Sequence, residues 1–173
     1  MSSSLERVQI VDENNQEIGE CPRHEMRSRK LTHRASYILV FNARKELFVQ
    51  KRTQTKDIYP GYFDIAAGGV VLAGESYENS ASRELFEELG VEAELTSLFD
   101  HYYADDTNKV WGRVFACRHE GPFVLQKEEV ESGSFRPIDS IIGQSHKNRY
   151  TPDGIAILRK IVVSELPLWT AQH

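Results

Sequence analysis

The chain has 173 residues, of which 40% are hydrophobic and 27% charged, ordinary proportions for a globular protein with its own core. Its 21 Lys and Arg against 26 Asp and Glu give a formal net charge of −5, which argues against general binding to nucleic acid or an anionic membrane surface. No apolar run predicts a membrane span, and residues 1–7 lack the apolar stretch of a secretory signal. We therefore expect a cytoplasmic protein.

The N-terminal segment predicts a β-hairpin followed by a short helix. Residues 8–11 alternate like a strand, and a polar turn then leads into a return strand. Pro22 suits the first turn of a helix over residues 23–27. We assign residues 1–30 to this extension and residues 31–165 to the main domain. The hairpin is also a candidate dimerisation arm, so a homodimer is one expected assembly.

The main domain predicts strands first, a helix in the middle and helices at the end. Residues 35–41 are too apolar for an exposed strand and predict a central one. A helix is expected over residues 76–89, where Gly90 supplies the stop signal. This order indicates a mixed α/β domain with helices packed on a sheet. The other predicted strands cover residues 46–52, 62–66, 95–103, 110–117 and 134–136, and the closing helices cover 137–144 and 152–163.

Three glutamates share one face of the predicted middle helix. Glu84, Glu87 and Glu88 stand at i, i+3 and i+4, beside an apolar stripe that must face the sheet. Like charges at these spacings oppose the helix by about 0.2–0.5 kcal/mol per pair, and a hard divalent cation would remove that repulsion. Three oxygen ligands suit Mg²⁺ or Mn²⁺. Arg83, one turn before Glu87, can hold that carboxylate by a charge-assisted hydrogen bond.

The surrounding residues distinguish a metal site from a plain solvated acidic face. Residues 69–91 fit the pattern G-x5-E-x7-R-E-U-x-E-E-x-G-U, where U is an aliphatic residue. At average residue usage, such a match arises by chance about 10⁻⁸ times in a chain of this length. The pattern resembles the signature of the Nudix family, whose members cleave a diphosphate linkage in a nucleoside diphosphate joined to another group.

The resemblance implies an α/β/α sandwich with a mixed β-sheet and a Mg²⁺-dependent reaction on a small-molecule diphosphate. The family's metal carboxylates correspond to Glu84, Glu87 and Glu88, and Gly69 would offer its backbone carbonyl to the metal. Arg83 and Glu75 would be supporting members of the signature. In many members a glutamate in a later loop serves as the base; within the acidic run at 128–131 we favour Glu129, with a solvated acidic loop as the alternative.

A second resemblance links residues 33–61 to the type I isopentenyl-diphosphate isomerases, a branch with the Nudix fold. Their diphosphate-binding Arg and Lys match Arg52 and Lys56 here. Those enzymes keep a catalytic cysteine and a metal-binding histidine where this chain has the small residues 66–69, which cannot transfer a proton to carbon. The sequence therefore indicates an isomerase-related Nudix hydrolase, similar to an uncharacterised bacterial subgroup.

Two alternatives to a hydrolase stay open. One is an isomerase-like enzyme. The other is a catalytically inactive Nudix module that senses a nucleotide. Sensing modules usually lose carboxylates of the signature, and this chain keeps all of them. No residue identifies the group that is attached to the diphosphate.

Overall fold

The structure is a computed structural model that describes residues 5–164. In these residues nine strands belong to one connected mixed sheet, and helices cover both of its faces. This is the α/β/α sandwich expected from the sequence. The elements are β1 (Arg7–Val11), β2 (Glu17–Pro22), α1 (Arg23–Arg29), β3 (His33–Phe41), β4 (Leu47–Arg52), β5 (Phe63–Asp64), β6 (Ala67–Val70), α2 (Tyr77–Leu89), β7 (Thr96–Ala104), β8 (Lys109–Arg118), β9 (Val130–Arg136), α3 (Ile138–Gln144) and α4 (Pro152–Ser164).

Strand β3 is the centre of the sheet. It pairs in parallel with β8 along its whole length and antiparallel with β6 on its other side. β8 continues the sheet to β7, whereas β4 leaves β3 at the Phe41–Leu47 pair and then pairs with β9 and β5. Because β3 and β4 diverge in this way, the ends of β4, β5 and β6 surround an opening beside β3.

Both faces of β3 are buried, which explains its nearly continuous apolar sequence. Successive side chains of a strand point to opposite faces. Ile38 and Val40 therefore pack with α2, while Leu39 and Phe41 pack with α3 and α4. The apolar stripe that the sequence predicts on the middle helix lies fully buried in the first of these two cores, and its members are Ala81, Leu85 and Leu89.

The N-terminal hairpin joins the same sheet. β1 pairs with β2 and meets β3 at the Ile10–His33 pair. A third apolar cluster packs Val8 and Met26 of the N-terminal segment against Val70 of β6. The extension and the main domain therefore share a core, and the division of the chain at residue 30 stays a prediction.

Most predicted element ends agree with the structure to within a few residues. The middle helix begins after Ser76, whose side chain accepts a hydrogen bond from the backbone of Asn79 (3.1 Å), and it ends at Gly90 in the left-handed conformation. β9 starts four residues earlier than its predicted start at residue 134, because pairing with β4 extends a polar stretch that carries no apolar alternation. Within residues 5–164, no helix is long and apolar enough to cross a membrane.

Candidate active site

Two of the three signature glutamates are buried close together on α2. The Glu88 side chain is almost wholly buried, and that of Glu84, one helical turn earlier, is 14% exposed. Glu87 lies at the rim of the site, with 46% of its side chain exposed. The shared face predicted from the spacing therefore has an inner pair of carboxylates and one outer carboxylate.

Glu88 is held by neighbours from two strands. Its Oε2 accepts hydrogen bonds from Gln50 Nε2 on β4 (3.1 Å) and from the backbone N–H of Gly68 on β6 (3.2 Å). Burial, together with the negative charge of Glu84, raises the pKa of Glu88 to about 7. In the absence of a cation, this carboxyl group is therefore partly protonated near neutral pH.

Arg83 organises the carboxylates around α2. Its Nε and Nη2 donate to the two oxygens of Glu75 at 2.8 and 2.9 Å, a bidentate geometry. Its Nη1 donates to Glu84 at 2.8 Å and, at 3.3 Å, to Glu87. The contact expected with Glu87 is thus present, but Arg83 holds Glu75 and Glu84 more closely. Glu75 also accepts from the backbone N–H of Leu72 (3.1 Å), which fixes the loop before the helix.

Two glycines let the backbone of β6 approach the carboxylates. A Cβ atom on Gly69 would lie 2.6 Å from Glu84 Oε1, so the carboxylate packs directly on this residue. A Cβ atom on Gly68 would lie 1.9 Å from the backbone oxygen of Ser36, and the φ of Gly68 is +143°. The backbone therefore requires glycine at position 68, whereas at position 69 glycine leaves room for the Glu84 carboxylate.

The donors at this site fit a hard divalent cation. In residues 5–164 no group of three or more acidic, histidine or cysteine side chains is arranged so that it could already hold a metal ion. The inner pair nevertheless brings together two negative charges in a buried position. Gln50 Oε1 is buried beside them without a hydrogen-bond partner among the described residues. An all-oxygen donor set with two closely spaced carboxylates suits Mg²⁺ or Mn²⁺.

A cleft of about 60 Å³ adjoins the carboxylates, and its wall contains Gly68, Gly69 and both predicted phosphate-binding residues. Arg52 donates to Asp64 (3.2 Å) and to a backbone oxygen, while its Nε has no partner among the described residues. Lys56 is largely buried, and burial lowers the pKa of its ammonium group. The structure therefore places two cations on the wall of a cleft, and the Gly68–Gly69 backbone of the same wall contacts the inner carboxylates.

Glu129, in the loop between β8 and β9, contacts Lys56 of the cleft wall. The loop covers the end of α2: the backbone N–H groups of Val124 and Gln126 donate to the carbonyls of Leu89 (2.9 Å) and Glu88 (3.0 Å). These bonds satisfy carbonyls that a helix end otherwise leaves without partners. Glu129 then forms an ion pair with Lys56. The candidate base and one candidate phosphate-binding residue are thus paired with each other.

Several residues in or beside the cleft were not predicted from the sequence. Gln50 is one, although alternation along β4 places it on the same face as buried Phe48, and a polar residue at an inward position signals a possible site. Asp64 is another; burial raises its pKa. Arg23 and Arg27 of α1 also line the cleft, and nothing in their local sequence places them there.

Comparison with known proteins agrees with this fold and site. The NUDIX domain model matches residues 31–157. An uncharacterized Nudix hydrolase of Pseudomonas aeruginosa is 40% identical over 159 residues, covering 91% of this chain and 94% of the relative. The uncharacterized Nudix hydrolase YfcD of Escherichia coli K12 is 40% identical over 157 residues, covering 90% and 86%. The crystal structure of DR0079 from Deinococcus radiodurans has a TM-score of 0.81 at 22% identity, covering 90% of this chain and 98% of that one, and supports the fold.

The family model and relatives named as Nudix hydrolases at 40% identity support a hydrolase enzyme. The chain belongs to the Nudix family. Members of this family hydrolyse diphosphate linkages in small nucleotide-derived molecules and generally use divalent metal ions such as Mg²⁺.

Proposed function

We propose that this chain is a Mg²⁺-dependent hydrolase, active also with Mn²⁺, that cleaves the diphosphate linkage of a nucleoside diphosphate joined to another group. One observation carries the proposal: the inner carboxylates of Glu84 and Glu88 contact the Gly68–Gly69 backbone, and the same backbone forms the wall of a cleft that contains Arg52 and Lys56. Hydrolysis of a diphosphate needs both a metal-binding group and cations for the phosphate oxygens.

Glu84 and Glu88 would hold the ion together with the Gly69 carbonyl, and Glu87 would contribute from the rim. When bound, Mg²⁺ neutralises phosphate charge and orients the attacking water. Arg83 acts as a positioning residue, because it fixes the Glu84 carboxylate through a 2.8 Å hydrogen bond. Phosphorus chemistry of this kind depends mainly on positioning and electrostatics, so no covalent nucleophile is required.

The ion pair between Lys56 and Glu129 brings the proposed phosphate-binding residue and the proposed base together. The ammonium group of Lys56 carries three donors, so it can bind a phosphate oxygen while it holds Glu129 in place. Glu129 would accept a proton from the attacking water.

The lining of the cleft favours hydrolysis over isomerisation of a prenyl diphosphate. The segment 66–69 forms part of the wall and offers no side chain for proton transfer at carbon. Polar side chains lie among apolar ones in the wall, and Tyr37 donates to Asp153 at 2.7 Å. A sugar or a base can form hydrogen bonds with such groups, which an alkyl chain cannot. The wall also contains the polar side chains of His33, Ser36, Tyr59, Asp64, Asn108 and Thr151.

A substrate screen tests the proposal. Wild-type protein is incubated with nucleoside diphosphate-X compounds, dinucleoside polyphosphates and prenyl diphosphates with Mg²⁺ or Mn²⁺, and products are read by ³¹P NMR. We expect phosphate-containing products from at least one nucleotide, and none from the Glu84→Gln/Glu88→Gln variant. Glu78→Gln is the matched control, since Glu78 is an exposed glutamate on the same helix.

Three outcomes would contradict the proposal. Turnover by the double variant at the wild-type rate would show that the two carboxylates take no part in the reaction. Tight nucleotide binding without any product would indicate a sensing module. Incorporation of solvent deuterium into isopentenyl diphosphate, abolished by EDTA, would establish an isomerase.

A further inference from the structure

Helix α1 contributes two arginines to the cleft although it lies outside the residues that match the family domain. Arg23 and Arg27 stand four residues apart and so share one face of the helix. Each side chain is only 16% exposed. Met26, buried in the apolar cluster beneath the hairpin, anchors the helix between them. Arg29 on the same helix is 63% exposed and pairs with Glu25, so it serves as a natural reference for an arginine outside the cleft.

One carboxylate aligns both arginines. The Nε atoms of Arg23 and Arg27 donate to the same oxygen, Asp57 Oδ2, at 3.1 and 2.9 Å. Although burial opposes it, the two guanidinium groups hold the pKa of Asp57 well below its usual range, so this carboxylate stays charged. Arg27 also donates through Nη1 to Asn108 (3.3 Å), and Arg23 Nη1 lies 3.8 Å from Glu6. The side chains are thus held in place at their Nε atoms.

The wall of the cleft gathers four positive side chains, Arg23, Arg27, Arg52 and Lys56. Arg52 pairs with Asp64 and Lys56 with Glu129, so each of these two cations has a carboxylate of its own. Arg23 and Arg27 instead share the single carboxylate of Asp57, with Glu6 at 3.8 Å from Arg23. Like charges that are gathered in a partly desolvated cleft repel one another, and an anionic ligand removes that repulsion. Guanidinium groups are also well suited to phosphate, because their donors match two of its oxygens at once.

We propose that Arg23 and Arg27 bind the phosphate groups of the substrate, so that the N-terminal helix is part of the substrate site. The inference rests on the proposed function for the identity of the ligand as a diphosphate. It assigns a substrate-binding role to a segment outside the family domain, and it explains why one helix presents two largely buried arginines to the cleft and a third to solvent.

Binding of inorganic diphosphate without metal is the direct test, measured by isothermal titration calorimetry. We expect Arg27→Ala and Arg23→Ala each to weaken binding about tenfold, as for the loss of one charge-assisted contact. Arg29→Ala should bind as the wild type does. Arg27→Lys keeps the charge and much of the packing but loses the paired donors, so we expect binding at least about threefold weaker. Thermal melting of each variant checks its fold.

The results separate this inference from the proposed function. Diphosphate binding that is equal in Arg27→Ala, Arg29→Ala and the wild type would overturn the inference, even for an active hydrolase. If Arg27→Ala fails to fold, an Arg27→Lys variant that binds like the wild type would overturn it instead. If binding falls as expected while no substrate in the screen is cleaved, the inference holds and the proposed hydrolysis fails. On a cleaved substrate, Arg27→Ala should raise KM and leave kcat within about twofold.

Discussion

Gly69 offers a sharp test of how the carboxylates are positioned. Gly69→Ala would place a Cβ atom 2.6 Å from Glu84 Oε1, whereas ordinary contact begins at 3.4 Å, so the carboxylate must retreat by about 0.8 Å. The backbone itself tolerates alanine, since the strain is confined to this contact. Displacement by this distance can lower the activity of a positioned group about 100-fold.

The same change should leave the fold nearly intact. The clashing atoms are those of the Glu84 carboxylate, at the end of a flexible side chain. Their movement breaks at most the 2.8 Å hydrogen bond from Arg83, which for a charged pair contributes about 1.5–3 kcal/mol to the free energy of unfolding. Replacing glycine by alanine also raises the free energy of unfolding by about 0.4–1 kcal/mol, because it restricts the unfolded chain. The expected net loss is about 1–2 kcal/mol, or a Tm lower by roughly 2–8 °C.

The assay is kcat/KM as a function of Mg²⁺ concentration, on a substrate from the screen. Gly143→Ala is the control, because a Cβ atom at Gly143 meets nothing within 4 Å. In a Glu84→Ala background, the Gly69→Ala change should have little further effect, since the displaced group is already gone. Wild-type activity in Gly69→Ala would refute the reasoning, as would an equal loss in both backgrounds.

Three further predictions follow from the site. Glu88→Gln should abolish most of the activity yet keep or raise the metal-free Tm, because it replaces a carboxyl group whose charged form is destabilised by burial and by Glu84. Activity within twofold of wild type would contradict the metal assignment. Arg52→Ala and Lys56→Ala should each raise KM about tenfold or more, and unchanged kinetics would show that these side chains do not touch substrate. Burial and nearby cations lower the pKa of His33 to about 3, below its value in the unfolded chain. As the pH falls from about 6.5 towards 3, the unfolded state therefore gains a proton that the folded state does not, and the free energy of unfolding should drop by roughly 1.4 kcal/mol per pH unit. Urea unfolding between pH 7 and 5 should show that the free energy of unfolding falls less steeply with pH in His33→Gln than in the wild type. Identical pH dependence in the two proteins would contradict the role of His33.

The fold was predictable where local signals and burial agree. Ser76 and Gly90 mark the two ends of α2. The apolar run of β3 predicts a strand that is buried on both faces. The length of β9 was underestimated because its polar residues form a strand only through pairing with β4. Local composition does not reveal which strand a segment will pair with.

The candidate site was predictable in part for the same reason. Helical periodicity brought Glu84, Glu87 and Glu88 to one face, but it could not distinguish the buried pair from the exposed third member. The ion pair between Lys56 and Glu129 joins residues far apart in the chain, so no spacing rule finds it. The approach of α1 to the cleft likewise depends on how the hairpin packs against β6.

The shared core of the N-terminal hairpin has a consequence for how the chain can be divided. Cutting at residue 30 would strip β1 from β3 and expose the apolar surface around Val70, leaving an unpaired strand edge of the kind that promotes aggregation. The match to the Pseudomonas relative covers 91% of the chain, more than residues 31–173 alone can supply, so homology itself crosses that boundary. The hairpin and α1 therefore share core contacts with the main domain, and we expect a fragment that begins at the family boundary to be recovered as insoluble protein.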